Sequence, residues 1–145
     1  ERNLVCFYLG GSRSANKILK EQSERLKESD IFSIQTKMVD LVYQAKKALE
    51  KSDLTSFGKI LGHNWELKKQ LSSGISNDRI NSIYREGIKN GALGGKLLGA
   101  GGTGFLLFYC ESEKQSSLIN SLGSLKQLNF KFDTEGSKII YRDDI

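Results

Sequence analysis

Gly94-Gly95-Lys96-Leu97-Leu98-Gly99-Ala100-Gly101-Gly102-Thr103-Gly104-Phe105, running on through Leu106-Leu107-Phe108-Tyr109-Cys110, is the stretch on which the reading of the fold turns. Seven of the chain's 15 glycines lie between Gly91 and Gly104. Ordering that many glycines costs backbone entropy, so the run needs a reason. One reason is chemical. Gly99-Ala100-Gly101-Gly102 can take left-handed angles and aim several backbone N–H groups one way, a nest that holds an anion without side chains. The alternative is a tight strand-to-strand connection in which the glycines serve only the angles. The run leads into an apolar strand, Gly104 to Cys110. It is therefore neither a Walker A loop, which ends in Gly-Lys-Ser/Thr and enters a helix, nor a dinucleotide fingerprint. Lys96-Leu97-Leu98 reads as a short extended piece. Lys96 is a candidate anion contact, with a solvated or strand-pairing lysine as the alternative.

Outward from the loop, the periodicity changes. Residues 4–9, Leu-Val-Cys-Phe-Tyr-Leu, form a short β-rich run ending at Gly10-Gly11. Four helical segments follow. Ser12 caps the first, to about Lys27, with Ala15, Ile18, Leu19, Gln22 and Leu26 on one stripe. Asp30 caps the second, through Leu49, with Ile34, Met38, Leu41, Val42, Ala45 and Leu49 aligned. Asp53 starts the third, near residues 53–72, with Leu54, Phe57, Leu61, Trp65, Lys68 and Leu71 on one side. Its Gly58 and Gly62, four apart, imply close packing against another element. Asn77 or Asp78 caps the fourth, with Ile80, Ile83, Tyr84 and Ile88 inward, and Asn90-Gly91 ends it. After the strand comes a helix over residues 111–124 with Leu118, Ile119 and Leu122 inward. Leu128 to Phe132 and Lys138 to Tyr141 then read as a hairpin around Asp133-Thr134-Glu135-Gly136. The order implies one α+β domain over residues 1–145: about four antiparallel strands with helices packed over one face.

Composition narrows the function. The net charge is +5, from 22 Lys and Arg against 17 Asp and Glu, which suits an anionic small molecule. The basic residues are spread over helices without aromatic interleaving, so nucleic acid is not expected. No apolar run approaches the roughly 20 residues of a membrane span, and cytoplasm is the default location. One histidine and no paired cysteine motif leave metal ligation by this chain unsupported. Cys6 and Cys110 read as buried free thiols. Proline is absent, so glycine, serine, asparagine and aspartate set the breaks.

The stretch Gly94 to Gly104 closely resembles the third conserved motif of the GHMP kinase superfamily, which includes galactokinase, homoserine kinase and mevalonate kinase. The family form runs Gly-Ala-Lys-Leu-Thr-Gly-Ala-Gly-Gly-Gly-Gly into an apolar strand. The resemblance extends to Trp65-Glu66-Leu67-Lys68-Lys69, to Ser72-Ser73-Gly74-Ile75-Ser76 and to Phe7 through Ala15. These segments look most like the sugar kinases acting on D-glycero-D-manno-heptose 7-phosphate. The resemblance implies the C-terminal, ferredoxin-like-related domain of such an enzyme. It implies ATP and Mg²⁺ as cofactors, bound mainly by an N-terminal domain with a Pro-x-x-x-Gly-Leu-Gly-Ser-Ser loop and the catalytic Asp. That domain lies outside these 145 residues, and the chain opens on Glu1 rather than Met. Two positions depart from the family form. Thr103 stands where the heptose kinases have glycine, and a β-branched residue is strained if the backbone angle there is positive. Leu98 replaces the usual threonine and removes a hydroxyl beside the loop.

On this reading the phosphate-side loop is Gly99, Ala100, Gly101, Gly102, Thr103 and Gly104. Ser12, Arg13 and Ser14, at a helix start after a strand, hold the sugar's distal phosphate, the alternative being a capping serine and a solvated arginine. His63, Ser73 and Lys96 complete the substrate side, and each has a structural alternative: a hydrogen-bonding histidine, ordinary turn chemistry and a surface lysine. Lys47, Lys51, Lys59, Lys68 and Lys69 read as solvated. The expected reaction transfers the γ-phosphoryl of ATP to the anomeric hydroxyl of the heptose phosphate. The partners are the sugar phosphate and the protein's own N-terminal domain, and self-association of the domain alone is expected through apolar surface near the loop. This chain by itself should be inactive. The competing readings are a galactose- or fucose-type kinase and a non-catalytic binding or assembly module.

Overall fold

The computed structural model describes residues 1–11 and 15–141. The helix start at Ser12, Arg13 and Ser14 lies outside the described residues. The elements run β1 (Leu4–Tyr8), α1 (Ala15–Arg25), α2 (Ser29–Glu50), α3 (Leu54–Lys68), α4 (Asp78–Lys89), β2 (Ala92–Leu98), β3 (Phe105–Cys110), α5 (Ser112–Ser121) and β4 (Lys126–Leu128). The strands make one sheet in the order β2-β3-β1-β4, and every pair is antiparallel. The expected α+β architecture is present.

Local chemistry explains the starts of α3 and α4 but not that of α2, where Glu28 holds the cap position without a side-chain bond and the expected cap Asp30 lies inside the first turn. Asp53 accepts from the amide of Ser56 and Asn77 from that of Ile80, so both cap as their side chains suggest. Along β3, Leu106, Phe108 and Cys110 join the buried core with Val5 and Phe7 of β1 and with Ala92 and Leu97 of β2. Ile18, Ile80, Tyr84, Leu118 and Leu122 cover them. The Phe108 ring stacks on Tyr84 at 5.7 Å and meets Phe7 edge-on at 6.2 Å. Aromatic pairs at such spacings add about 0.5–1.5 kcal/mol beyond the area they bury.

The helices of this layer lie over one face, as the sequence suggested, and α3 adds a detail of its own. It lies along the free edge of β2. Its Trp65 joins the core beside Tyr84, 6.3 Å between rings. Its Phe57, by contrast, packs on Tyr109, which alternates with Phe108 and so faces the other way. Gly58 rests on the same Tyr109 ring. Two glycine pairs make that approach possible. A Cβ on Gly94 would sit 2.1 Å from the carbonyl oxygen of Gly58 and 2.8 Å from the amide nitrogen of Gly62. Here α3 and β2 touch backbone to backbone.

That contact corrects the short strand read at Lys96 to Leu98. The observed β2 is seven residues long and includes Gly94-Gly95. Glycine is a poor strand former, but here it is the residue that lets a helix lie on the strand. The α2 stripe is corrected as well. Ile31, Leu41 and Ala48 are buried, and Ile34 and Met38 pack partly against the core, whereas Val42 and Leu49 are exposed. Phe32, Val39 and Tyr43 are exposed too, so α2 is apolar on more than one side and the alternating spacing alone does not choose the inward one. On α1, Ile18 is buried while Leu19 is exposed.

The hairpin expected at the C-terminus is not formed. Only Lys126 to Leu128 pairs, antiparallel with Cys6 to Tyr8 of β1. The reversal at Asp133 exists, with its carboxylate accepting from the amide of Glu135, but Ile139, Ile140 and Tyr141 beyond it are solvent-exposed. A turn signal sets only where a chain reverses. Pairing requires that the arms also bury a face. Cys6 and Cys110 are free and buried, and burial pushes both thiols up.

Candidate functional site

Three loops meet at one end of the sheet. The glycine run between β2 and β3 is the hub. Gly99, Gly101, Gly102 and Gly104 have φ of 85°, 120°, 78° and 111°, angles that L side chains rarely adopt. The contacts that hold the run come from three parts of the chain. The Gly102 amide donates to the carbonyl of Ile75 at 2.9 Å, tying the loop to the 72–76 turn. The Leu9 amide donates to the carbonyl of Gly104 at 2.9 Å, and the Thr103 hydroxyl donates to the carbonyl of Gly10, tying it to the β1–α1 connection. Arg79, in the first turn of α4, donates to the carbonyl of Leu9 at 2.9 Å. Lys68, at the end of α3, donates to the carbonyl of Gly99 at 2.6 Å.

Thr103 is not strained. Among the described residues the single non-glycine with positive φ is Ser52. The hydroxyl at position 103 instead braces Gly10. Among the described residues, the amides of Gly99, Ala100, Gly101 and Thr103 have no backbone acceptor. Free amides in a run of left-handed angles suit a phosphate oxygen.

Beside the loop lies a cationic pair. Lys96 points from β2 into an open cleft of about 310 Å³ lined also by Asn64 of α3 and by Gln35, Met38, Val39 and Val42 of α2. Lys68 stands four residues beyond Asn64, hence on the same helix face. Burial holds the Lys68 ammonium below its usual range, and the nearby charge of Lys96 lowers it further. The sequence pattern placed Lys68 in solvent; the structure half-buries it and hands it the Gly99 carbonyl. The signal that would have found it is its spacing from Asn64 and the apolar stripe it continues.

The other sequence candidates separate. His63 lies on the exposed stripe with Lys59, Glu66 and Gln70, turned away from Asn64 and Lys68. Ser73 is exposed, and its amide donates to Glu21 of α1 at 3.3 Å. A hydroxyl beside a carboxylate is poorly set to meet an anion. Ser12, Arg13 and Ser14 are outside the described residues, though Gly11 brings the chain to within contact of Thr103. A row of partly exposed side chains crosses the same end of the sheet: Leu98 at 37%, Phe105 at 40% and Tyr8 at 36%, directly paired in register.

Glu21 is the group whose titration reports on the 72–76 turn. The side chain of Ser72 hydrogen-bonds its carboxylate and lowers its pKa, with the Ser73 amide and the charge of Arg25 adding to the effect and burial opposing it. A depressed carboxylate stabilises the fold above its unfolded pKa and loses that contribution as pH falls through the folded value. The expected result is a turn that loosens below the ordinary glutamate range. NMR shifts of Ser73 and Ile75 followed from pH 6 to pH 3 should track Glu21, and Glu21→Gln should abolish that titration. A flat response in the native chain would remove Glu21 from the account.

Comparison with known proteins agrees with this geometry. The sequence model described as "GHMP kinases C terminal" matches residues 45–124, which span α3, α4, β2, the glycine loop, β3 and α5. The D-glycero-alpha-D-manno-heptose 7-phosphate kinase of Campylobacter jejuni is 31% identical over 140 residues, 95% of this chain and 41% of that protein. The L-fucokinase/L-fucose-1-P guanylyltransferase of Bacteroides fragilis is 30% identical over 120 residues, 81% of this chain and 12% of that protein. The crystal structure of L. major mevalonate kinase in complex with R-mevalonate superposes with a TM-score of 0.72 at 25% identity, covering 83% of this chain and 37% of that one. The chain thus spans less than half the length of these relatives. With the matched segment carrying the glycine loop and the helices that brace it, the chain belongs to the GHMP kinase C-terminal family.

Proposed function

We propose that this chain supplies the phosphate-side wall of an ATP-dependent sugar kinase that phosphorylates the anomeric hydroxyl of D-glycero-D-manno-heptose 7-phosphate. The observation that carries the reading is the braced glycine loop with unpaired amides beside Lys68 and Lys96. The 31% identity to the C. jejuni heptose phosphate kinase supports the substrate class. Catalysis of this kind rests on positioning and on fixed donors aimed at phosphoryl oxygens.

The residues present fit the phosphate end of ATP and an anionic sugar. Amides of Gly99, Ala100, Gly101 and Thr103 would meet phosphoryl oxygens, and Lys96 would hold negative charge at the cleft. Among the described residues no group of three His, Cys, Asp or Glu side chains could hold a metal ion, and on this reading an N-terminal domain would supply the ligands of Mg²⁺. When bound, Mg²⁺ neutralises phosphate charge. Lys68 keeps the loop in place, and the apolar row Tyr8, Phe105 and Leu98 is where that domain, or a second copy of the isolated chain, would rest.

The test is an ATP-dependent phosphoryl-transfer assay on the complete gene product against a panel of sugars and sugar phosphates. Preference for the heptose 7-phosphate is expected, with no turnover by residues 1–145 alone. Equal use of sugars lacking the distal phosphate would overturn the substrate. A galactose- or fucose-type kinase is the second reading, favoured by the 30% identity to the B. fragilis fucokinase, and the same panel separates it. Failure to turn over any sugar would favour a binding or assembly module.

A further inference from the structure

We infer that Lys96 and Asn64, which line one cleft, and Lys68, one helical turn beyond Asn64, form a subsite for a phosphate-monoester oxyanion. Lys96 and Asn64 line the same open cleft, about 310 Å³ in volume, whose opposite wall is α2. Lys68 follows one turn beyond Asn64 on α3, and its ammonium is held by the carbonyl of Gly99, three residues along the chain from Lys96. That bond uses one of three ammonium protons and leaves two for a ligand.

The charge balance calls for an anion. Neither lysine has a carboxylate within ion-pair distance among the described residues. Glu66, the acid nearest Lys68 in sequence, is taken by Lys69 at 2.9 Å. Two cations held near each other, one of them half-buried, raise each other's cost unless a counter-charge sits between them. A surface lysine has no need of such a place. The ordinary alternative, a lysine solvated at the end of its stem, does not describe Lys68, whose ammonium is bound to the Gly99 carbonyl at 2.6 Å. The rest of the lining, Gln35, Met38, Val39 and Val42, carries no charge that would compete with the oxyanion. Asn64 adds an uncharged donor, and the free amide of Gly99 lies beside the carbonyl that Lys68 holds.

The subsite deepens the kinase reading and rests on it for the natural ligand, though not for anion binding itself. Two phosphates could arrive there, that of the sugar phosphate or the γ-phosphate of ATP, and their shared chemistry is what the lysines read. The binding test uses this chain with inorganic phosphate. ¹H–¹³C NMR of the lysine ε-methylenes should show Lys68 and Lys96 shifting together, and Lys68→Met and Lys96→Met should each weaken the shift of the remaining lysine about tenfold. Lys96→Arg should restore it, and Lys46→Met, an exposed lysine paired with Glu50, should leave it unchanged. Phosphate that leaves both signals still, or that shifts them equally in the Met variants, overturns the subsite whatever the enzyme does.

The kinetic arm uses the complete gene product. A KM rise of about tenfold for the sugar phosphate in Lys96→Met, with kcat held, assigns the subsite to the sugar. The same rise for ATP assigns it to the nucleotide. Unchanged KM for both, with the enzyme active, overturns the subsite and leaves the kinase reading standing. Absent turnover together with phosphate-shifted lysines overturns the kinase reading and leaves the subsite.

Discussion

Gly94→Ala is expected to destabilise the fold by about 3 kcal/mol or more, the upper range for overpacking. The new methyl would lie 2.1 Å from the Gly58 carbonyl oxygen and 2.8 Å from the Gly62 nitrogen. Both neighbours are backbone, so no rotamer change can make room. Either α3 lifts from β2 or the β2–β3 ladder bends. Lifting α3 also drags Trp65 from the core and Gly58 from the Tyr109 ring. With an m-value of about 2 kcal/mol/M, the urea midpoint should fall by roughly 1.5 M. Gly62→Ala offers the comparison, since its methyl would meet the Tyr84 hydroxyl at 3.1 Å and Gly94 Cα at 3.3 Å, distances that a small shift relieves. A Gly94→Ala chain unfolding within about 0.3 M of the native midpoint, a small fraction of its stability, would show that α3 is not seated as described.

Gly101→Ala should be the most damaging single change to the proposed activity. Position 101 has φ of 120°, and an added methyl would stand 2.6 Å from Ile75 Cα and 2.8 Å from its carbonyl oxygen. Backbone strain at such a site costs on the order of 1–3 kcal/mol. The larger consequence is geometric. Ile75 anchors the loop through the Gly102 amide, and pushing it away moves Ala100 through Thr103 together. A displacement near 1 Å of a positioning element lowers rate about 10²-fold, so kcat/KM of the complete enzyme should fall by about that factor while the chain stays folded at 25 °C. Gly99→Ala separates strain from clash: it has φ of 85° but open space around it, and should cost far less. Activity within threefold of native in Gly101→Ala would mean that the loop takes no part in positioning the phosphates.

Much of this was legible because short-range rules carried it. The caps at Asp53 and Asn77, the core strand at Phe105 to Cys110, the inward face of α5 and that of α4 apart from the exposed Ile88 follow from side-chain chemistry and spacing within a few residues. The glycine run named its family by itself. What misled were residues whose role depends on a distant neighbour. Gly94-Gly95 looked too poor for a strand because propensity does not see α3 arriving. Lys138 to Tyr141 looked like a hairpin arm because its composition does not reveal that no face awaits it. His63 drew notice as the lone histidine, while Asn64, one residue on and some 100° round the helix, faces the cleft.

The sequence by itself determined the helices, the β1 and β3 strands, the family and the loop, since these rest on local backbone preference and on a motif written in consecutive residues. Tertiary structure alone decided which face of α2 is inward, how closely α3 lies on β2, and that Lys68 meets Gly99 beside Lys96. The last two depend on contacts between residues 28 to 36 positions apart, and the first on which of several apolar surfaces finds a partner when the chain packs.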